Sequence, residues 1–262
     1  MWDFTNKVAV VTGGGRGIGA GVARAFAQHG ARVAVVDIDA EAAEHTCAVI
    51  RQPGHDVAAW PCDVRDEDQV ETTVNEIVGR FGAIDVLFNN AGIHRRLPLF
   101  EYHREDWEAV IGVNLVGVFL VARAVGRHMV ARRSGSIVNM SALGGGVVGL
   151  GRGSAIYCAT KGAVAAMTRD LAAEWAPYGV RVNAVAPGWI KTDMNAPLLQ
   201  NETAARRVVE RVPLARWGEV DDVVGPVLFL ASDAARYVTG HLIPIDGGAA
   251  SIIRLTSDEV IR

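Results

Sequence analysis

Residues 7–26 read KVAVVTGGGRGIGAGVARAF. An apolar, β-branched run stops at a cluster of glycines, and the residues beyond recur at helical spacing, with Val22, Phe26 and the alanines three and four apart. Six later stretches have the form of the first run: RVAVVDID (32–39), DVAAWPCDV (56–64), AIDVLFNNAG (83–92), GSIVNMSA (135–142), VRVNAVAPG (180–188) and GHLIPIDGG (240–248). Helical patterns lie between them, as in EDQVETTVNEIVGRFG (67–82), which puts Val70, Val74, Ile77 and Phe81 on one face. Near-continuous apolar strands are buried on both faces, which is the habit of parallel sheets. The alternation of strand and helix therefore predicts a doubly wound α/β fold, a mostly parallel seven-stranded sheet with helices on both faces. No linker, repeat or low-complexity stretch interrupts the pattern, and a single domain over 1–262 is expected.

Composition narrows the classes of function. Half of the 262 residues are hydrophobic and the net charge is only −3. No basic patch points to nucleic acid, and no block of like charge forms an interaction tail. The N-terminal residues lack the pattern of a signal peptide, and no apolar run reaches the length of a membrane span. Cys47, Cys62 and Cys158 fit neither a disulfide framework nor a metal site, so a soluble, reducing, cytoplasmic setting without a metal is expected.

The glycines at 13, 14, 15, 17 and 19 sit where strand turns to helix. Glycine tolerates positive φ and close backbone approach, and a helix start offers free N–H groups to a pyrophosphate. The spacing is T-G-x-x-x-G-x-G, starting at Thr12. Asp37, at the end of the second strand, is placed to accept the adenosine ribose hydroxyls and to repel a 2′-phosphate. Arg16 pulls the other way, since a guanidinium in the glycine loop suits such a phosphate. Asp63 has two readings, an acceptor for the adenine amino group or a cap for the following helix.

With TGGGRGIG, NNAG (89–92), YCATK (157–161) and VNAVAPG (182–188) in this order, the chain resembles the short-chain dehydrogenase/reductase family over nearly its whole length. The resemblance implies a Rossmann-like domain, a nicotinamide cofactor and a homotetramer or homodimer. It places Gly13, Arg16 and Ile18 at the pyrophosphate, Asp63 with Val64 at the adenine, Asn90 at a ribose, and Ile190 and Thr192 at the nicotinamide. It makes Asn114, Tyr157 and Lys161 catalytic, and it counts Tyr157 and Lys161 among the cofactor-binding residues too, the lysine at the nicotinamide ribose. Asp37 favours NAD, with NADP the lesser expectation.

Tyr157 and Lys161 are i and i+4, hence on one helical face. A phenol with its ordinary pKa of about 10 is a weak base at neutral pH. A neighbouring ammonium is expected to lower it and make the tyrosine an acid–base group for a secondary alcohol or ketone. Asn114, inside the apolar run 110–125, needs a partner if buried, and Cys158 reads as a packing residue. The family's substrate-binding serine falls at Ala142 on strict alignment. Glycines at 144, 145, 146, 149, 151 and 153 lengthen this loop, so a one-residue shift presenting Ser141 instead is expected. For substrate, Arg95 and Arg96 suggest a carboxylate. TDMN, AAEWA and PLARWG resemble the branch acting on gluconate and deoxygluconate, so a small-molecule sugar acid or polyol is expected. A 3-oxoacyl-carrier-protein reductase, a cyclic-alcohol or steroid dehydrogenase, and a cofactor-binding sensor are the alternatives.

Overall fold

The computed structural model describes residues 2–151 and 153–252. Seven strands form: β1 (Val8–Thr12), β2 (Arg32–Asp37), β3 (Val57–Pro61), β4 (Val86–Asn89), β5 (Gly135–Met140), β6 (Val180–Pro187) and β7 (Leu242–Ile245). All pair in parallel, in the order β3-β2-β1-β4-β5-β6-β7. The sheet is thus wholly parallel rather than mostly so. Every stretch read as a strand is one.

The pleat divides the core. On one face Ala9, Val11, Val33, Val35, Phe88 and Val138 pack under α1 (Gly17–Gln28), α2 (Ala40–Ile50) and α10 (Val220–Ala231). The alternate residues Val8, Val10, Ala34, Val36, Leu87 and Ile137 meet α3 (Glu67–Phe81), α5 (Val118–Arg132) and α7 (Ala155–Trp175) on the other. The edge strands β3 and β7 depart most from a fully buried pattern, while β2, β5 and β6 carry one or two half-buried residues each. The remaining α-helical pieces are α4 (Arg104–Ile111), the irregular turn α6 (Leu143–Gly146), α8 (Ala196–Leu199) and α9 (Glu202–Arg211). Leu198, Val208, Val212 and Trp217 close a small third core under α8 and α9.

Two sequence expectations change here. The run 104–132 is one helix long and apolar enough to span a bilayer by length and composition, contrary to the reading that none exists. More than half of its most apolar window is buried in the fold, because this helix packs over the centre of the sheet. The same run is not uniformly α-helical, since Gly112–Gly117 forms a π turn. Asp63 does not cap α3. Asp66 does, accepting from the Gln69 N–H at 3.0 Å.

Phe26 is fully buried and meets Phe4 edge-on at 5.0 Å between ring centroids. Phe26→Ala is expected to cost about 3–5 kcal/mol of stability, as read from the urea denaturation midpoint.

Candidate active site

β1 has β2 on one side and β4 on the other, so the chain crosses over there and the loops leaving β1 and β4 diverge. A cavity of about 740 Å³ opens at these carboxyl ends. Its wall takes residues from the loops after the first six strands.

At one end lies the glycine turn. Gly13 has φ +60°, and a Cβ there would stand 2.9 Å from Ala91 Cα; one on Gly19 would stand 2.0 Å from the Gly13 carbonyl. Bare backbone is therefore forced, and it presents amides beside the start of α1, whose first residues have no side-chain cap. Asn90 fastens this turn to the loop after β4: its Nδ2 donates to the Thr12 and Gly13 carbonyls at 3.0 Å. Asp37 Oδ2 accepts from Gly15 N at 2.9 Å and Oδ1 from Asp39 N at 3.0 Å. Each oxygen keeps a further lone pair for a hydroxyl. The Arg16 guanidinium is paired with Asp39. Asp63 binds the Arg65 side chain at 2.9–3.0 Å, which holds its carboxyl below the usual range. Val64, Ile18, Ile190 and Thr192 line the same cavity. A dinucleotide fits this set: a backbone cradle with no room for side chains, and a carboxylate at ribose distance in sequence.

At the other end α7 carries Tyr157 and Lys161 on one face. Lys161 is 2% exposed, and its ammonium donates to the Met140 carbonyl at 2.7 Å. Burial draws its pKa down to about 8. The nitrogen lies 5.9 Å from the Tyr157 ring centroid. Tyr157 is not depressed as the sequence suggested. Desolvation raises its phenol above the ordinary value, Cys158 adds to the rise, and Arg96 opposes it. Asn114 is buried in the π turn, donating to the Ile93 carbonyl at 2.9 Å and accepting from Ile93 N at 2.8 Å. A Cβ on Gly92 would lie 3.3 Å from Asn114 Oδ1 and 3.5 Å from Lys161 Nζ, so these two groups converge on one spot of the wall.

Ser141 does not do what the loop shift required. It is 1% exposed, and its hydroxyl donates to the Lys161 carbonyl at 2.8 Å. The Ser141 N–H pairs with the Val185 carbonyl, which continues the sheet by one residue and turns the side chain toward α7. Gly144, Gly145 and Gly146 are taken up instead by the α6 turn, where Gly145 has φ +86°. Cys158 is half-buried with its thiol raised by burial, in keeping with a packing role. Arg95 pairs with Asp106 at 2.9 Å, whereas the charge of Arg96 acts on both Tyr157 and His94.

His94 is the residue that sequence reading passed over. It follows NNAGI directly, yet nothing in its neighbours marks it. Its ring lies against Tyr157, with centroids 4.3 Å apart and a tilt of 36°, and its Nε2 is 3.0 Å from Ser154 Oγ. Burial, then the Arg96 charge, lowers its pKa to about 4.

Residues 13–250 match the family model described as "Enoyl-(Acyl carrier protein) reductase". The 5-keto-D-gluconate 5-reductase of Escherichia coli (strain K12) is 38% identical over 249 residues, spanning 95% of this chain and 97% of that protein. A 3-oxoacyl-[acyl-carrier-protein] reductase of Thermotoga maritima is 43% identical over 244 residues, spanning 92% and 97%. The crystal structure of a gluconate 5-dehydrogenase from Burkholderia cenocepacia J2315 in complex with NADP and tartrate superposes with a TM-score of 0.90 at 40% identity, over 96% of this chain and 98% of that one.

His94 has a depressed pKa, so the unfolded chain takes up this proton first as pH falls, and folding stability declines between about pH 6.5 and 4. An NMR titration is expected to show the His94 ring still neutral at pH 5.5; an ordinary midpoint near pH 6.5 would contradict the geometry.

Proposed function

Because this chain belongs to the short-chain dehydrogenase/reductase family, we propose that it interconverts a secondary alcohol and a ketone on a sugar acid, with Tyr157 as the proton-transfer group and NAD as the preferred cofactor. It is an oxidoreductase. The observation that carries the reading is the meeting of Tyr157 and Lys161 at one end of the cavity, with Asn114 beside Lys161 at Gly92, and a phosphate-type cradle at the other end.

The residues divide the work. The glycine turn, Ile18 and Thr192 would hold the pyrophosphate and nicotinamide portions, Asn90 a ribose, and Asp63 with Val64 the adenine. A bound nicotinamide supplies or accepts hydride. The phenol of Tyr157, kept protonated by its surroundings, gives its proton to the ketone oxygen in reduction and takes it back in oxidation. Lys161 faces the charge that forms on Tyr157, and its position is held by the Met140 carbonyl. Asn114 fixes the loop at Ile93, on the stretch of wall that Lys161 Nζ also reaches.

Two features support NAD. Asp37 offers a carboxylate beside the glycine turn that would repel a 2′-phosphate, and the arginine suited to that phosphate is paired with Asp39. Against NAD stands the related gluconate 5-dehydrogenase from Burkholderia cenocepacia J2315, which is in complex with NADP. For the substrate, Arg96 is better placed than Arg95, since it lines the cavity and its charge reaches Tyr157. A tartrate in the related dehydrogenase supports a hydroxy acid. The 43% identity to a 3-oxoacyl-carrier-protein reductase favours that as a second reading; an oxoacyl thioester in the same assay tests it. A homo-oligomer fits the exposed Val116 and Phe119 on the 104–132 helix, and a cytoplasmic location fits the free thiols at 47, 62 and 158.

A panel of sugar acids, polyols, cyclic alcohols and oxoacyl thioesters, followed by nicotinamide absorbance with both cofactors, is the direct test. Highest kcat/KM is expected for a sugar acid with NAD, and Asp37→Ala should move the NAD/NADP ratio toward NADP by about ten- to hundredfold. Equal efficiency with both cofactors, or a ratio unmoved in the variant, would refute the preference.

Tyr157→Phe is expected to lower kcat by about 10²–10⁴-fold while nicotinamide fluorescence reports unchanged cofactor binding. In the wild type, ketone reduction should decline above about pH 8, where Lys161 loses its proton, and oxidation should gain as rising pH helps draw off the phenolic proton. A phenylalanine variant with substantial turnover would remove Tyr157 from the reaction.

Arg96→Ala should raise KM for sugar acids by about tenfold or more, the scale of a charge-assisted hydrogen bond, and leave neutral polyols nearly unaffected. Arg95→Ala should do less. Equal effects on acids and polyols would sink the carboxylate role.

A further inference from the structure

A ketone oxygen that gains negative charge is stabilised by every donor aimed at it, and one donor fewer costs about 10²–10³ in rate. The end of β5 provides none from a side chain. Ser141 spends its hydroxyl hydrogen on the Lys161 carbonyl, and Ala142, which lines the cavity, has no hydroxyl. The cavity instead brings an imidazole against the reacting phenol. His94 comes from the loop after β4, and its ring covers that of Tyr157 at 4.3 Å. Its Nε2 is held 3.0 Å from Ser154 Oγ, and Ser154 sits one helical turn before Tyr157 at the start of α7. Both aromatic rings are thus fixed by the same turn of helix.

We propose that His94 donates a second hydrogen bond to the substrate's carbonyl oxygen, beside Tyr157, and that Ser154 sets the ring's tautomer for this. The proposal rests on the ketone–alcohol reading above. A neutral imidazole has one N–H and one bare nitrogen. We assign the Ser154 hydroxyl as the donor in the 3.0 Å contact with Nε2, which leaves the ring proton on Nδ1. The ring stays neutral at working pH, so it polarises the carbonyl without competing as an acid. As charge builds on the oxygen, that oxygen takes the phenolic proton of Tyr157. His94 keeps its own proton, and no atom passes through it.

The test separates a donor from a mere ring-packing partner. His94→Phe keeps an aromatic ring on Tyr157 and removes both nitrogens; His94→Gln keeps a donor and loses the ring. Ala142→Ser is then added to His94→Phe to supply a hydroxyl from the neighbouring wall. Each full-length enzyme is assayed in reduction with NADH and 5-keto-D-gluconate, or, if that is not turned over, with the panel ketone of highest turnover. NADH affinity is read by fluorescence in parallel. His94→Phe should lose about 10²–10³ in kcat with NADH binding unchanged. His94→Gln should recover much of the loss, and Ala142→Ser should restore about tenfold or more to His94→Phe. Wild-type kcat in His94→Phe overturns the proposal, as does a loss that neither His94→Gln nor Ala142→Ser relieves. If His94→Phe is fast while Tyr157→Phe is dead, only the His94 role falls. If Tyr157→Phe turns over, the ketone–alcohol reading falls with it.

Discussion

The buried ammonium of Lys161 is the constraint on which the site depends. A charge so far from water is costly unless hydrogen-bonded, and here the end of β5 and the middle of α7 satisfy each other. Lys161 Nζ donates to the Met140 carbonyl, and the Lys161 carbonyl accepts from the Ser141 hydroxyl. The clasp locks helix to strand at the cavity floor. Tyr157, one turn earlier on α7, inherits its position from it.

The same clasp explains why two sequence expectations fail together. Ser141 is needed to complete the link to α7, so it is not a donor to the cavity. The Lys161 ammonium is turned to a backbone carbonyl, 5.9 Å from the Tyr157 ring centroid, and does not outweigh the desolvation of the phenol. A phenol held protonated is suited to delivering a proton to a ketone over a wide pH range. The Lys161 pKa of about 8, lowered by burial, sets the upper edge of that range.

The cofactor end follows different physics. Its parts are backbone amides, their hydrogen bonds and the carboxylates of Asp37, Asp39 and Asp63, arranged by the strand crossover between β1 and β4. The Arg16–Asp39 pair couples the two sides of the expected ribose pocket, so the residue that could welcome a 2′-phosphate is tied to a second acid. Charge pairing, rather than the mere presence of an arginine, decides what that residue offers a ligand.

The sequence by itself determined the seven strands, their burial and the Asp37 and Tyr157–Lys161 placements. These rest on local periodicity, on glycine's lack of a Cβ and on helical i, i+4 geometry, all of which act within a few residues. The tertiary structure alone decided what depends on contacts across about 11 to 63 residues. Such are the direction of the Ser141 hydroxyl, the π turn that aims Asn114 at Ile93, the engagement of Arg95 by Asp106, and the stacking of His94 on Tyr157. A lone histidine in a loop carries no periodic signal. Its neutral state comes from burial beside Arg96, and its orientation from a serine sixty positions away.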